Sequence, residues 1–334
     1  MYLITGAAGF IGSALVSHLN RQGFTDLLLV DDFVHYPDKT PNWENKRYRE
    51  CIERDELFAR WDRDNWPLEG VYHLGARTDT TESDRTLFDV LNIDYSREVW
   101  KRCTERSIPL VYASSAATYG LGERGFSDSH DIVHELEPLN EYGRSKNEFD
   151  KWALAQVEGA GTERTGTPPT PPRWYGLKFF NVYGPNEYHK GRMASVVWHT
   201  FRQVKATGKM KLFRSHHPDY ADGQQSRDFI YVKDLCEVCR WLMNTATAPS
   251  GLYNLGTGTA RPFLDLAMAT FRAMGKEPNV DYIDTPADLR EKYQYFTEAE
   301  MGKLRAAGYT EPFQSLEEGI QEYVQKFLQP GRYL

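Results

Sequence analysis

A glycine-rich segment, YLITGAAGFIG, occupies residues 2–12. Its first four residues, Tyr2 to Thr5, form a short apolar run that predicts a buried strand, and Leu15 and Leu19 beyond it keep helical spacing. The turn between this strand and this helix holds three glycines, Gly6, Gly9 and Gly12. Glycine permits a tight turn and lets an anion approach the backbone N–H groups at the positively polarised start of a helix. The segment therefore predicts a phosphate-binding turn.

Further apolar runs predict four more buried strands: Leu27–Val30, Val71–Leu74, Leu110–Ser114 and Gly176–Phe180. The stretches between them read mostly as helices, and this alternation is typical of an α/β fold with a Rossmann-type doubly wound parallel sheet. We assign residues 1–180 to this dinucleotide-binding domain. Residues 181–334 are assigned mainly to a smaller C-terminal substrate-binding lobe, with some segments returning to the Rossmann domain. A stretch rich in Gly, Pro and Thr predicts a surface loop at Gly159–Pro172.

The composition limits the class of protein. The 334 residues carry a formal net charge of -7 and are 40% hydrophobic and 26% charged, which favours a globular chain and disfavours a nucleic-acid or membrane partner. No apolar segment approaches membrane-spanning length, and Met1 to Thr5 lack the features of a signal peptide. The four cysteines do not suggest a disulfide framework. We therefore expect a cytoplasmic protein.

Two acidic residues end the second predicted strand. Asp31 lies nineteen positions beyond Gly12, where a carboxylate can accept hydrogen bonds from the ribose hydroxyls of a dinucleotide. Together with Asp32 it favours NAD over NADP, because two carboxylates repel a 2′-phosphate unless a nearby cation covers that phosphate. Four cations could do so: Lys39, Lys46, Arg47 and Arg49. The sequence predicts a nicotinamide dinucleotide and, on charge alone, leaves the choice between NAD and NADP open.

A Tyr-x-x-x-Lys pair, Tyr142 and Lys146, places both side chains on one face of a helix. An adjacent ammonium and an oxidised nicotinamide both stabilise a phenolate, so Tyr142 can serve as a base near neutral pH. Ser115 follows the run Leu110–Ser114, where its hydroxyl can polarise a substrate oxygen or cap the next turn. The Tyr–Lys pair alone is common by chance. Its combination with the glycine turn favours a catalytic role.

Two weaker patterns point to metal or redox chemistry. His216 and His217 are adjacent, but the acidic residues near them lack a recognisable ligand spacing, so we favour a polar loop. Cys236 and Cys239 lie in the amphipathic stretch Asp234 to Met243 without a second cysteine pair. They are interpreted as cysteines on a helix face, and we expect no metal site.

The motifs resemble those of the extended short-chain dehydrogenase/reductases. The shared segments are the glycine turn, SSAATYG at Ser114 to Gly120, the Tyr–Lys pair, and NVYGP at Asn181 to Pro185. Two more segments, YHKGRMAS at Tyr188 to Ser195 and LRAAGY at Leu304 to Tyr309, are similar to the branch of this family that inverts carbon 6 of an ADP-linked heptose. The similarity runs nearly end to end.

The resemblance implies three groups of site residues. The catalytic group is Tyr142, Lys190, Lys146 and Ser115, with Tyr142 and Lys190 as the two acid/base residues. The cofactor-binding group is Gly6, Gly9, Phe10, Ile11, Gly12, Asp31, Asp32, Leu74, Gly75, Ala76, Arg77, Thr78, Asn92, Lys146 and Val182. The substrate-binding group is Asn181, Arg192, His199, Phe213, Arg214, Ser215, Arg227 and Tyr293. The resemblance also implies NADP as the cofactor, an ADP-heptose substrate and a homo-oligomer.

The implied reaction inverts a carbon whose hydrogen is not acidic. Transient oxidation by the nicotinamide gives a ketone, which turns in the pocket before hydride returns to its opposite face. One of Tyr142 and Lys190 removes the hydroxyl proton and the other donates a proton to the oxygen. The product is a precursor of the heptose in the lipopolysaccharide core.

Other functions fit the sequence less well. A nucleotide-sugar 4,6-dehydratase needs an acidic pair where this chain has Ala116 and Ala117. A UDP-sugar 4-epimerase or a reductase of the same family shares Ser115, Tyr142 and Lys146, but neither explains Lys190. A non-catalytic dinucleotide-binding regulator is disfavoured because the serine, tyrosine and lysine are all present.

The chain also departs from its family at several positions. Asp32 replaces the usual Asn, Arg77 and Thr78 replace a small pair, Arg192 replaces a serine, and Lys178 stands where Arg is more common. The loop from Ser215 to Arg227 looks longer than usual. These changes affect the expected contacts with the cofactor and the sugar.

Overall fold

The computed structural model describes residues 1–159, 170–286, 290 and 293–334. Most of the predicted surface loop Gly159–Pro172 lies outside these residues. Seven strands form the central sheet: β1 Tyr2–Thr5, β2 Leu27–Asp31, β3 Glu50–Glu53, β4 Gly70–His73, β5 Leu110–Ser115, β6 Trp174–Phe179 and β10 Gly251–Leu255. Their order is β10-β6-β5-β4-β1-β2-β3, and every neighbouring pair is parallel. The predicted Rossmann-type sheet is confirmed.

The remaining strands form two small sheets. They are β7 Asn181–Tyr183, β8 Met210–Phe213, β9 Ser226–Tyr231, β11 Ala260–Pro262, β12 Val280–Ile283 and β13 Phe296–Thr297. Strand β9 pairs with β7, β11 and β13, while β8 pairs with β12. Both small sheets are built from residues after 180, the part of the chain that the sequence analysis assigns mainly to a smaller lobe.

Helices pack against both faces of the central sheet and against the small sheets. They are α1 Phe10–Arg21, α2 Thr40–Trp43, α3 Leu57–Asp64, α4 Arg85–Phe88, α5 Tyr95–Glu105, α6 Glu141–Gly159, α7 Val196–Thr207, α8 Val232–Asn244, α9 Phe263–Ala273, α10 Gly302–Ala306 and α11 Leu316–Glu322. Two π-helical segments, Asp89–Asp94 and Tyr323–Leu328, continue helices. Short 3-10 helices occur at Pro37–Lys39, Arg54–Glu56, Ala116–Tyr119, His130–Glu135 and Tyr188–Met193. Among the described residues, no helix is long and apolar enough to span a membrane.

Both faces of the sheet are buried. In β1, Tyr2 and Ile4 join one hydrophobic cluster with α1 and α8, whereas Leu3 joins the opposite cluster with α3, α5 and α6. Successive strand residues point to opposite faces, so a doubly covered sheet requires continuous apolar strands. The strand order reverses between β1 and β4. Ligands of such sheets bind at the carboxyl ends of the strands beside this reversal.

Candidate active site

The glycine turn lies at the carboxyl end of β1. Gly6 has φ +68°, and a Cβ there would lie 2.7 Å from the backbone of Gly75. A Cβ on Gly12 would overlap the carbonyl oxygen of Gly6. Helix α1 begins after Gly9, with no side-chain cap and no acidic residue in its first turn. The first N–H groups of α1 are therefore free to bind an anion.

Asp31 fixes this turn to the end of β2. One carboxylate oxygen accepts a hydrogen bond from Ala8 N at 2.9 Å, and the other accepts from Asp32 N at 2.8 Å. Lys39 Nζ donates to the same carboxylate at 3.1 Å. Arg54 lies beside Asp32, with 3.6 Å between Nη2 and Oδ2. Two carboxylates and two cations thus face one another at the edge of the turn.

Of the four cations considered from the sequence, Lys39 alone contacts these carboxylates in the described structure. Lys46 donates to the carbonyl of Leu334, Arg47 to the carbonyl of Asn20, and Arg49 pairs with Asp26. Arg54 was missed because it stands in the charged run ERDE, which is typical of a solvated surface. Its position after the edge strand β3 gave no signal until that strand was located.

Asn92 supports the loop that follows β4, residues 74–78. Its side chain accepts from Arg77 N at 2.8 Å and donates to Arg77 O at 3.0 Å. It also donates to the Ser145 hydroxyl at 2.9 Å, which ties the loop to α6. Asn92 lies in the π-helical segment Asp89–Asp94, a type of irregularity that often occurs at functional sites.

His73, the last residue of β4, links the loop 74–78 to Thr5 at the end of β1, just before the glycine turn. Its Nδ1 lies 2.7 Å from Thr5 Oγ1, which also accepts a hydrogen bond from Gly75 N at 3.0 Å. Its Nε2 lies 2.9 Å from Ser96 Oγ. Burial, together with the nearby charge of Lys146, lowers the pKa of His73 to about 3. The imidazole is therefore neutral and structural near pH 7.

Ser115, Tyr142 and Lys146 meet at the carboxyl end of β5. Ser115 ends the strand, and its hydroxyl accepts from Ala117 N at 3.1 Å, so it also caps the turn as one interpretation expected. Burial raises the pKa of Tyr142, while its interaction with the Ser115 side chain opposes that rise. Lys146 donates to Ala113 O at 2.7 Å, and burial lowers its pKa to about 8. The expected activation of Tyr142 by the Lys146 ammonium and an oxidised nicotinamide stays a prediction, and Ser115 is a further group that lowers the pKa of Tyr142.

An ion pair between Asp150 and Lys178 lies beneath this group. The Lys178 ammonium is 2.8 Å from Asp150 Oδ2 and 2.8 Å from Thr118 Oγ1. The same carboxylate accepts from the hydroxyls of Tyr112 and Ser114 at 3.0 and 2.6 Å. These bonds join β5, β6 and α6.

Lys190 approaches the glycine turn from the other side. It lies in the 3-10 helix Tyr188–Met193, and its ammonium is 5.4 Å from the centre of the Phe10 ring, in the first turn of α1. Within the described residues, this ammonium makes no hydrogen bond or ion pair. Burial lowers the pKa of Lys190, and the charge of Glu187 opposes that effect. A partly buried ammonium with no hydrogen-bond acceptor or counter-ion among the described residues is a candidate functional group.

Three of the predicted substrate residues come together at Arg227. Its guanidinium lies 5.6 Å from the centre of the Tyr293 ring, and the Tyr293 ring lies 6.3 Å from that of Phe213. Arg227 is 8% exposed, yet among the residues that the structure describes it donates only to the carbonyls of Ser226 and Gln294. The alternative of an Arg–Asp surface pair is wrong, because Asp228 instead accepts hydrogen bonds from Thr257, Gly258 and Ala299.

The other predicted substrate residues are more dispersed. Arg192 pairs with Asp79 at 3.4 Å, and its carbonyl lies 3.2 Å from His199 Nε2. Asn181 and Val182 form the start of β7, beyond the carboxyl end of β6. Arg214 and Ser215 both contact Asp222, at 3.3 and 2.8 Å, and so help to hold the loop after β8.

The structure shows where the residues of the two weaker sequence patterns, the histidine pair and the cysteine pair, lie. His216 Nε2 accepts from Thr285 N at 3.3 Å, and the His217 ring meets Tyr220 edge-on and Tyr295 at a tilt. Cys236 and Cys239 are buried on α8 as free thiols. Over the ranges that the structure describes, no group of three His, Cys, Asp or Glu residues could hold a metal ion.

Comparison with known proteins defines the class. Residues 2–256 match the NAD dependent epimerase/dehydratase family. The chain belongs to this family of enzymes, and it is a nicotinamide-dependent epimerase of nucleotide sugars. This confirms the family and the enzyme class expected from the motifs.

Similar proteins narrow the class further. Curated relatives named ADP-L-glycero-D-manno-heptose-6-epimerase come from Fusobacterium nucleatum, at 46% identity, and Nitratidesulfovibrio vulgaris, at 47% identity. Each comparison covers 98% of this chain and 98% of the relative. The crystal structure of Helicobacter pylori ADP-L-glycero-D-manno-heptose-6-epimerase superposes with a TM-score of 0.77 at 26% identity, covering 97% of this chain and 95% of the other.

Proposed function

We propose that this enzyme interconverts ADP-D-glycero-D-manno-heptose and ADP-L-glycero-D-manno-heptose by inverting carbon 6, in the synthesis of the lipopolysaccharide core precursor. The observation that carries the proposal is the position of Lys190, an unpaired ammonium beside Phe10 at the start of α1. An epimerase that oxidises a carbinol and then reduces the ketone from its opposite face exchanges a proton with the substrate oxygen in two orientations, which calls for two acid/base groups. Tyr142 is the first and Lys190 supplies the second.

The glycine turn fits the dinucleotide. A side chain at Gly6 or Gly12 would collide with neighbouring backbone, so glycine at both positions keeps the turn tight, and the uncapped N–H groups of α1 suit a pyrophosphate. The loop 74–78 and Val182 complete the proposed cofactor site, and Lys146 is placed for the nicotinamide ribose. When bound, the nicotinamide accepts hydride from the substrate and returns it. Residues up to 180 thus hold the cofactor, and those after 181 mainly hold the sugar nucleotide.

Two side chains of the enzyme carry out the proton transfers to and from the substrate oxygen. Tyr142, with Ser115 beside it, removes or donates a proton at the substrate oxygen, and Ser115 polarises the same oxygen. Lys190 exchanges the other proton when the ketone presents its opposite face. The protein otherwise orients the substrate, which must turn without leaving.

The pairing of carboxylates with cations favours NADP over NAD. Asp31 and Asp32 alone would repel a 2′-phosphate, but Lys39 and Arg54 lie 3.1 and 3.6 Å from them. These cations balance the two carboxylates and leave N–H donors at the rim for a phosphate. The sequence-based argument for NAD assumed that both carboxylates repel a 2′-phosphate, and the neighbouring cations reduce that repulsion.

Arg227 supports a diphosphate in the substrate. Within the described part of the chain, this buried guanidinium contacts carbonyl oxygens and aromatic rings and no carboxylate, and such a charge is costly unless a ligand supplies the anion. The diphosphate of a nucleotide sugar offers such a partner and can bind a guanidinium through two hydrogen bonds.

The test is conversion of ADP-D-glycero-D-manno-heptose, followed at carbon 6 by proton NMR, with UDP-glucose as the comparison substrate. We expect epimerisation of the heptose only, and loss of at least about 100-fold in kcat for Lys190→Ala. Lys276→Ala, which changes an exposed lysine, is the matched control. Conversion of UDP-glucose alone would refute the heptose assignment, and normal turnover by Lys190→Ala would refute the two-base mechanism.

A further inference from the structure

Glu187 is a buried carboxylate at the start of the turn that carries Lys190. Its exposed fraction is 0%, although no lysine or arginine in the described chain forms an ion pair with it. One oxygen accepts from Ser195 Oγ at 2.6 Å and from Tyr323 OH at 2.9 Å, and the other accepts from Ser195 N at 2.6 Å. Burial raises the pKa of Glu187, while the Ser195 and Tyr323 donors and the charge of Lys190 oppose that rise. A carboxyl group is costly to bury in such a position, so the residue invites a functional explanation.

These contacts close the segment 187–195 into a loop. Glu187 lies just before the 3-10 helix, and Ser195 is the N-cap of α7 just after it. Lys190 N also donates to the Glu187 carbonyl at 2.9 Å. The side chain of Glu187 therefore holds the two ends of the segment 187–195 together, and its carbonyl fixes the first turn of the 3-10 helix.

Glu187 also acts on Lys190 through charge. The groups that face its carboxylate are Lys190 on the turn, Tyr188 beside it, and Tyr323 in the C-terminal π-helical segment. The groups that face Lys190 are Glu187, the Phe10 ring and His189, which burial keeps neutral with a pKa of about 4. Glu187 is thus the one carboxylate in the described surroundings of Lys190 that favours its protonated form.

We propose that Glu187 is a positioning residue for Lys190: its carboxylate holds the turn closed and supplies the negative charge that keeps the ammonium protonated beside the cofactor site. This inference rests on the proposed role of Lys190 as an acid/base residue. It separates the two tasks of Glu187, because the hydrogen bonds set the geometry and the charge sets the proton affinity.

The sign of the charge effect follows directly. An ionised Glu187 raises the pKa of Lys190 against the effect of burial. Replacing it with neutral glutamine removes that support, so Lys190 loses its proton at a lower pH. The kcat profile should then move toward lower pH by about one unit, which is the order of magnitude expected for a single neighbouring charge at a buried group.

The experiment compares pH profiles of kcat for Glu187→Gln, Tyr323→Phe and Ser195→Ala in the full-length enzyme with ADP-heptose. Glu187→Gln should shift the profile toward lower pH and lower kcat on its alkaline side, by up to about tenfold for a shift of one unit. Tyr323→Phe and Ser195→Ala keep the charge and lose a hydrogen bond, so they should lower kcat without moving the profile. A wild-type profile in Glu187→Gln would overturn the proposal.

Two controls keep the outcomes distinct. If Glu187→Gln does not fold, Glu187→Asp retains the charge but cannot reach both Ser195 and Tyr323, and it should lose kcat with no shift in the profile. A shifted profile in Glu187→Asp would then count against the proposal. Lys190→Ala is measured in parallel: if it turns over normally the proposed function has failed, whereas an inactive Lys190→Ala beside an unshifted Glu187→Gln means that only this inference has failed.

Discussion

The ammonium of Lys178 lies 2.8 Å from the carboxylate of Asp150, and both side chains are completely enclosed, at 1% and 0% exposure. Lys178 stands on β6 and Asp150 on α6, one helical turn beyond Lys146. The pair therefore joins the helix that carries the proposed catalytic residues to the centre of the sheet. Removing one partner of such a pair leaves an uncompensated buried charge.

We predict that Lys178→Met lowers the free energy of unfolding by about 3–5 kcal/mol, because Asp150 would remain buried and charged. Lys178→Met combined with Asp150→Asn should cost less than Lys178→Met alone, since it restores neutrality. Urea denaturation monitored by circular dichroism measures both. Lys209→Met breaks the exposed pair with Asp281, 3.1 Å apart, and should cost under about 1 kcal/mol. Equal losses for Lys178→Met and Lys209→Met would contradict the argument.

The central strands could be predicted from the sequence because their place in the middle of the sheet requires apolar residues. Strands buried on both faces need unbroken apolar runs, and those runs marked β1, β2, β4, β5 and β6 to within two residues at each end. The edge strands β3 and β10 gave no such signal. In β3, Ile52 alone is fully buried, so the strand is defined mainly by backbone pairing with β2. Strand β10 returns to β6 from a distant part of the chain.

The residues of the site also fall into those that the sequence could predict and those that it could not. Residues in local motifs, such as the glycine turn and the Tyr142–Lys146 pair, can be recognised from their spacing. Lys190 meets Phe10 from 180 positions away, and only the resemblance to a family pointed to it. Arg54 and Glu187 carry no motif; their roles depend on which side chains the fold brings beside them. A sequence pattern therefore predicts the chemistry of residues that are close in the chain. The balance of charges in the site depends on tertiary contacts, which the pattern does not show.

Tyr142→Phe should lower kcat by at least about 100-fold, because the hydroxyl is the proposed proton carrier and Ser115 is its partner. Binding of the cofactor should stay within about twofold of wild type, since Lys146 and the glycine turn are untouched. Steady-state kinetics and fluorescence titration provide the two measurements. Tyr282→Phe, on β12, is the control. A matching loss of cofactor affinity would assign Tyr142 a binding role instead.

Lys39→Ala and Arg54→Ala should each weaken NADP binding by about tenfold or more and change NAD binding little. The reason is that only NADP presents a 2′-phosphate to these cations, and a charge-assisted hydrogen bond contributes about 1.5–3 kcal/mol. Calorimetric titration with both dinucleotides measures the effect. Arg49→Ala serves as the control, because Arg49 pairs with Asp26, 2.7 Å away. Equal losses for NAD and NADP would show that the cations do not discriminate between them.

Arg227→Met should act in opposite directions on activity and stability. We expect kcat/KM for the nucleotide sugar to fall by about 10- to 100-fold, because the diphosphate loses its charged partner. The melting temperature of the ligand-free enzyme should rise, since a buried guanidinium without a carboxylate is replaced by an apolar side chain. Kinetics and calorimetry test both. A fall in both quantities would indicate that Arg227 serves the fold rather than the substrate.

His73 should make the enzyme less stable in acid. Its pKa is 6.5 in the unfolded chain and about 3 in the folded protein, where it is buried between Thr5 and Ser96 and faces Lys146. The unfolded state therefore takes up a proton below pH 6.5 that the folded state does not, so stability is full above pH 6.5 and is lost as the pH falls toward 3. From pH 7 to pH 5 this single group should cost about 2 kcal/mol. His73→Gln can keep hydrogen bonds to both hydroxyls but cannot titrate. Denaturant unfolding at the two pH values should then show a decline for His73→Gln that is smaller than the wild-type decline by about that amount, and parallel declines would mean that His73 is not the group that titrates.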